Sequence, residues 1–251
     1  MTPEATGAAR LAGLIREAGS VVALTGAGIS VPSGIPDFRS PQTGLWRNVD
    51  PMAVAHIDAF RRDPERFWSF YGGRFALLRD KRPNGAHAAL SELERQGRLD
   101  AVITQNIDRL HAMAGTRELV EVHGSIATSS CPACGRSYEL ETVRDRLEAA
   151  DDGVPRCECG AALKPDVVLF GEFLPEEALA RAFALAEGAD VLLCVGSSLE
   201  VHPVAGLPGA TLAAGGAVAV VTRSATPYDG AATVRLSGDV VAELEGVLAC
   251  L

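Results

Sequence analysis

With 251 residues, of which 47% are hydrophobic and 22% charged, the chain is long enough for one large core, or for one domain carrying a small inserted module. A formal net charge of -9 argues against direct nucleic-acid binding, because that affinity rests mostly on Lys and Arg neutralising phosphates; basic protein tails fit better, and plain solubility explains the charge equally well. No segment approaches the roughly 18 to 20 unbroken apolar residues of a bilayer crossing, and Met1-Thr-Pro-Glu4 lacks the basic start of a secretory leader, so a soluble, cytoplasmic protein without membrane contacts is expected.

In chain order, Val21–Leu24 reads as a short buried strand. The run behind it, Gly26-Ala-Gly-Ile-Ser-Val-Pro-Ser-Gly-Ile-Pro-Asp-Phe-Arg39, reads as a nucleotide phosphate cradle. Its glycines let backbone amides approach a pyrophosphate, and the helix opening after them aims its positive end at the anion. The ordinary dinucleotide fingerprint expects a glycine or alanine at position 31, where this chain has Val31. Residues 38–85, rich in arginine, proline and aromatics, break the rhythm and read as an insertion. Within it, Tyr71-Gly-Gly-Arg74 puts a phenol and a guanidinium three residues apart, on one helical face, where they suit a distal carboxylate. Gly72 and Gly73 each cost about 1 kcal/mol in a helix interior, which predicts a broken helix and a splayed pair.

Helical period resumes at Ala86–Gln96, and Ala101–Thr104 reads as the next strand. Gln105, Asn106 and Asp108 follow at its carboxyl end, where ligands collect, although Asp108 also fits as the cap of the helix beginning Arg109-Leu-His111. His123 follows the strand end Val120-Glu-Val122. Of the other four histidines, His56 starts as structural like all five, and His87, His111 and His202 read as helix or loop residues with local hydrogen bonds. Residues 128–164 form a second insertion with Cys131-Pro-Ala-Cys134 and Cys157-Glu-Cys159. Paired knuckles of this kind read as a tetrahedral structural Zn2+ site with no open position for catalysis, against disulfides as the competing reading. The helix Glu176–Glu187 and the strands Val191–Val195 and Ala217–Val221 complete the series, with Cys194 as a packed core thiol and Cys250 as a surface thiol.

Strands alternating with helices predict an α/β fold. The expected architecture is a Rossmann-like parallel sheet from residues 1–37, 86–127 and 165–251, with a smaller inserted domain made of a helical module (38–85) and a zinc ribbon (128–164). Ligands then bind in the crevice between the inserted part and the strands' carboxyl ends.

Gly34-Ile-Pro-Asp-Phe-Arg39 resembles the signature of the sirtuins, the NAD-dependent protein deacylases. Thr104-Gln-Asn-Ile-Asp108, Val122-His-Gly124, Pro165-Asp-Val-Val-Leu-Phe-Gly-Glu172 and Gly196-Ser-Ser-Leu-Glu-Val-His-Pro203 match that family's remaining blocks in order, over nearly the whole chain. The resemblance implies transfer of an acyl group from a substrate lysine to ADP-ribose, with release of nicotinamide. His123 is then the base for a ribose hydroxyl, and Asn106 orients ribose and water. On the NAD side it implies Gly26, Gly28, Ser30, Gln105 and Val240; Ala27, Ile35 and Phe38 as walls of the nicotinamide pocket; and Asp37 and Arg39 at the cofactor loop and phosphates. Asp108 accepts from the nicotinamide carboxamide, and Gly196, Ser197 and Ser198 meet the adenosine side. Thr222 stands where the family usually has an asparagine, which predicts a weaker grip on NAD unless Arg223 takes part. Val168, Phe170, Gly171 and Glu172 on one side, and Leu199-Glu-Val201 on the other, clasp the acylated substrate as an added strand. Tyr71 and Arg74 resemble the Tyr-x-x-Arg pair of members that remove succinyl and malonyl groups, so simple deacetylation and acidic-acyl removal both stay open. Protein ADP-ribosyltransfer and a non-catalytic NAD-sensing module are the alternatives, and His123 speaks for deacylation over both.

Overall fold

In the computed structural model, which describes residues 7–37 and 50–251, Leu11, Ala12 and Ile15 form the buried stripe of α1 (Gly7–Glu17). β1 (Val21–Thr25) follows with all five residues buried, as a strand covered on both faces must be. Behind it the chain makes a 3-10 helix over Ala27–Ser33, where sequence suggests an ordinary helix. Three helices come next: α2 (Pro51–Val54), α3 (Ile57–Arg62) and α4 (Pro64–Arg79). His56 caps α3 by accepting the Asp58 N–H at 3.1 Å, and Asp63 caps α4 by accepting the Arg66 N–H at 3.0 Å. The chain continues through α5 (Gly85–Arg95), β2 (Ala101–Thr104), α6 (Leu110–Met113) and β3 (Leu119–Glu121). β4 (Gly124–Ser130), β5 (Ser137–Glu139), α7 (Leu140–Ala149) and β6 (Lys164–Val167) make up the cysteine-bearing part. α8 (Glu176–Gly188), β7 (Val191–Val195), α9 (Leu207–Ala213), β8 (Ala217–Val221), β9 (Val234–Leu236) and α10 (Val240–Ala249) close the fold.

Six strands form one parallel sheet in the order β3-β2-β1-β7-β8-β9. Side chains alternate between its faces: Val21 and Ala23 pack with Leu90, Leu93, Leu244 and Val247 of α5 and α10, while Val22 and Leu24 pack with Ala182, Ala186 and Leu207 of α8 and α9. Strand order reverses between β1 and β7, and Thr25 stands level with both Val195 and Thr104. The segments after β1, β2 and β7 therefore leave the sheet side by side, at the crevice such a reversal creates.

The antiparallel strands β5-β4-β6 form a second sheet. Its core is shared with α3 and α4: Phe67, Trp68, Tyr71 and Phe75 cluster with Ile126, Tyr138, Val143, Leu163 and Val167. The Trp68 indole N–H donates to the Leu163 carbonyl at 2.9 Å, which ties α4 to the chain entering β6. α4 runs unbroken through Gly72 and Gly73, against the break expected from their propensity. Four buried aromatic side chains on its inner face, each stabilising by about 1.5–3 kcal/mol, outweigh two glycines at about 1 kcal/mol each. Gly72 also lets α7 come close, since a Cβ there would stand 3.0 Å from Leu147. No helix among the described residues is long and apolar enough to cross a membrane.

A candidate active site at the strand switch point

The turns after β1 and β7 interlock. Gly26 N–H donates to the Val195 carbonyl at 3.1 Å and Gly28 N–H to the Gly196 carbonyl at 2.7 Å. A Cβ on Gly28 would lie 2.7 Å from that same oxygen, and one on Gly196, at φ 62, would lie 2.2 Å from the Ile29 nitrogen. Sequence reading gives these glycines the task of presenting amides to a pyrophosphate. Instead, both amides are committed to the neighbouring turn, and the glycines serve close approach of two backbones.

Around this interlock the ends of β1, β2 and β7 gather polar side chains. Gln105 follows β2; its N–H donates to the Thr25 carbonyl at 3.0 Å and its Nε2 to Ser197 Oγ at 2.9 Å. Asn106, 6% exposed, donates from Nδ2 to the Gly26 carbonyl at 3.1 Å and to Ser30 Oγ at 3.2 Å. Asp108 serves two purposes. From one residue ahead of the Arg109 cap position of α6, its Oδ1 accepts the Leu110 N–H at 2.9 Å, and its Oδ2 accepts the Ser30 hydroxyl at 2.7 Å. Burial raises the Asp108 pKa, with the Ser30 and Leu110 bonds opposing. His123 is half-buried, with Nδ1 2.9 Å from the Gln105 carbonyl. A carbonyl can only accept, so Nδ1 carries the proton and Nε2 keeps the lone pair of a base. Burial holds the His123 pKa below that of ordinary imidazole, opposed by the carbonyl bond.

The other expected site residues differ in burial and in partners. Ala27 and Ile35 are half-buried, and Ile35 N–H bonds the Ser30 carbonyl at 3.3 Å. Asp37 ends the first described stretch, while Phe38 and Arg39 lie outside the described residues. Ser198 is half-buried beside Ser197. Thr222 is buried just past β8, its N–H on the Leu236 carbonyl at 3.0 Å. Arg223 is exposed and pairs with Asp239 at 2.9 Å, a link to the cap of α10. The Val240 side chain packs into the main core, which leaves its backbone as the part able to meet a ligand.

Val168 N–H donates to the His123 carbonyl at 2.8 Å, which seats the start of the expected substrate segment against that histidine. Phe170 is engaged on both its main-chain groups, by the Ala55 carbonyl at 3.0 Å and the Ile57 N–H at 2.9 Å. Gly171, at φ 85, turns past the His56 ring. Glu172 accepts the Leu169 N–H at 2.9 Å and pairs with Lys164 at 3.0 Å. Val201 is 38% exposed, and Phe173, which belongs to none of the expected motifs, is 98% exposed. In α4, Tyr71 stacks on Phe67 at 4.4 Å; burial pushes its pKa up to about 12, with Arg74 pulling it down and Glu172 pushing it up. Burial lowers the Arg74 pKa, and Tyr71 opposes that shift. Arg74, on the same unbroken helix, and Glu172, far away along the chain, thus both stand close enough to Tyr71 to act on its hydroxyl.

Away from the crevice, the sulfurs of Cys131, Cys134, Cys157 and Cys159 all lie within 4.8 Å of one another. Tetrahedral zinc with bonds of about 2.3 Å would set them about 3.8 Å apart, so the quartet fits that ion. Each knuckle turns on a glycine of positive φ, Gly135 at 72 and Gly160 at 88. Glu158, the single residue inside the shorter knuckle, is held by Arg136, Arg146 and the Tyr138 hydroxyl.

Compared with known proteins, residues 26–203 match the model of the Sir2 family. A protein of Sulfolobus acidocaldarius named NAD-dependent protein deacetylase is 45% identical over 222 residues, 88% of this chain and 86% of that one. One of Thermococcus sibiricus named NAD-dependent protein deacylase is 44% identical over 232 residues, 91% and 90% of the two chains. A solved complex described as Sir2-p53 peptide-NAD+ superposes with a TM-score of 0.88 at 40% identity, covering 96% of each chain.

Proposed function

The chain belongs to the Sir2 family, and from that premise we infer that it is an NAD-dependent protein-lysine deacylase acting on acylated lysine side chains of other proteins. The observation that carries the reading is the array of Gln105, Asn106, Asp108 and His123 beside Ser30 and Ser197, where the strand order reverses. NAD, when bound, supplies a glycosidic bond whose cleavage frees nicotinamide and makes ADP-ribose the acyl acceptor. His123 takes a proton at Nε2 from a ribose hydroxyl, since its other nitrogen is occupied by the Gln105 carbonyl. Asn106 orients ribose and water, Asp108 receives the carboxamide, and Ala27 and Ile35 wall the nicotinamide end. Gly196, Ser197, Ser198 and Thr222 face the adenosine half.

Residues 1–37, 86–127 and 165–251 form the NAD-binding domain, with 38–85 and 128–164 as its helical and zinc insertions. The four thiolates hold Zn2+ as structural metal, and they suit a reducing compartment such as the cytoplasm. Tyr71 and Arg74, held on one unbroken helix, extend the acyl range from acetyl to succinyl and malonyl groups.

The test is nicotinamide release by purified protein with NAD and acetyl-, succinyl- and malonyl-lysine forms of one peptide. Wild type turns over, and His123→Ala stays folded but does not. A folded wild type that releases no nicotinamide from any of the three peptides would reject the assignment.

A further inference from the structure

His87 and His111 belong to none of the roles assigned above, yet both are buried, with 0% and 2% exposure, and their rings meet edge to face with centroids 4.9 Å apart. Desolvation pushes the His87 pKa down to about 4 and that of His111 to about 3, so both are neutral at pH 7. A neutral imidazole has one N–H and one lone pair, and its partners decide which nitrogen holds the proton. The Asn84 N–H donates to His87 Nδ1 at 3.4 Å, which puts the proton on Nε2, 3.4 Å from Ser30 Oγ. Ser30 then accepts from His87 and from Asn106 Nδ2 and gives its own proton to Asp108 Oδ2, so its bonding capacity is filled.

His111 heads a second chain. Its Nε2 is 2.9 Å from Thr25 Oγ1, whose hydroxyl donates to Thr104 Oγ1 at 2.8 Å, and Thr104 Oγ1 also receives the Asn106 main-chain N–H at 3.1 Å. His111 Nδ1 is buried without a partner among the described residues. An unpartnered lone pair is less costly than an unpartnered N–H, so this proton also sits on Nε2. Both chains start at an imidazole donor: the first ends on the Asp108 carboxylate, and the second ends on Thr104 Oγ1, the acceptor that holds the Asn106 main-chain N–H.

We propose that His87 and His111 are paired positioning residues that donate from Nε2 into two hydroxyl relays, His87–Ser30–Asp108 and His111–Thr25–Thr104, and so fix Asn106 and Asp108 for the cofactor's nicotinamide end. The inference rests on Asn106 and Asp108 being cofactor-site residues, as proposed above. Nitrogen NMR of histidine-labelled wild-type protein tests it without catalysis. Both rings should be Nε2–H tautomers at pH 7, and an Nδ1–H or doubly protonated ring at either position overturns the proposal.

Kinetics supply the second arm. In His87→Leu and His111→Leu, the loss of one buried hydrogen bond should raise the KM for NAD and the inhibition constant of nicotinamide about tenfold, with the acyl-peptide KM within about twofold. His87→Gln and His111→Gln, whose side-chain amides restore a donor, should return both constants to within about threefold of wild type. Equal losses in the leucine and glutamine variants, or an unchanged KM for NAD in a folded leucine variant, overturn the proposal. A wild type with both tautomers but no nicotinamide release supports the relays and rejects the deacylase reading.

Discussion

His123 shows how one hydrogen bond sets a chemical role. With Nδ1 against the Gln105 carbonyl and burial disfavouring the cation, the ring stays an unprotonated base into mildly acidic solution. The acid limb of kcat/KM should therefore have its midpoint below the roughly 6.5 of free imidazole. A pH profile with its midpoint at or above that value would contradict the burial argument. Gln105, Asn106, Asp108 and His123 are legible in the sequence because short motifs carry them to strand ends. His87 and His111 are not, because their hydroxyl partners lie 57 and 86 residues away along the chain. Only Thr25 and Thr104, polar ends on otherwise apolar strands, hint that a buried polar layer exists.

At the scale of elements, glycine means different things in different places. Gly28 is wedged against the backbone of Gly196, whereas nothing lies within 4 Å of a Cβ added at Gly73. Gly28→Ala should destabilise the protein by about 2–4 kcal/mol and weaken NAD binding, because two turns must part. Gly73→Ala should stabilise it by about 1 kcal/mol, the helix propensity gained. Urea unfolding of the two variants measures both, and the opposite order of stability would refute the packing account. Arg74→Met in the same helix should cut desuccinylation far more than deacetylation, and equal losses would remove its carboxylate role. Local propensity misjudged α4 because the decisive contribution is long-range: its aromatic face meets residues of β4, α7 and β6 that no window of neighbours includes.

Considered whole, the molecule has separate apolar clusters on the two faces of its parallel sheet and a third that joins the helical insertion to the cysteine-bearing sheet. The alternation of strands and helices announces the first architecture. Strand order does not show in spacing, since it depends on which way each crossover turns. Cys131, Cys157 and Tyr138 sit in the same cluster as Phe67, Trp68 and Tyr71. Stripping zinc with a chelator should therefore lower the melting temperature and loosen the packing around Tyr71, while the parallel sheet persists. Hydrogen exchange resolves the two regions, and uniform deprotection of both would argue against separate cores.

The indole of Trp68 bridges those two insertions through its bond to Leu163. Of the chain's two tryptophans, Trp46 lies outside the described residues, so a Trp46→Phe background leaves a single fluorophore at the joint. Its emission, blue while the ring is dry and red once water reaches it, gives the protein a built-in optical gauge of whether metal ribbon and helices remain joined.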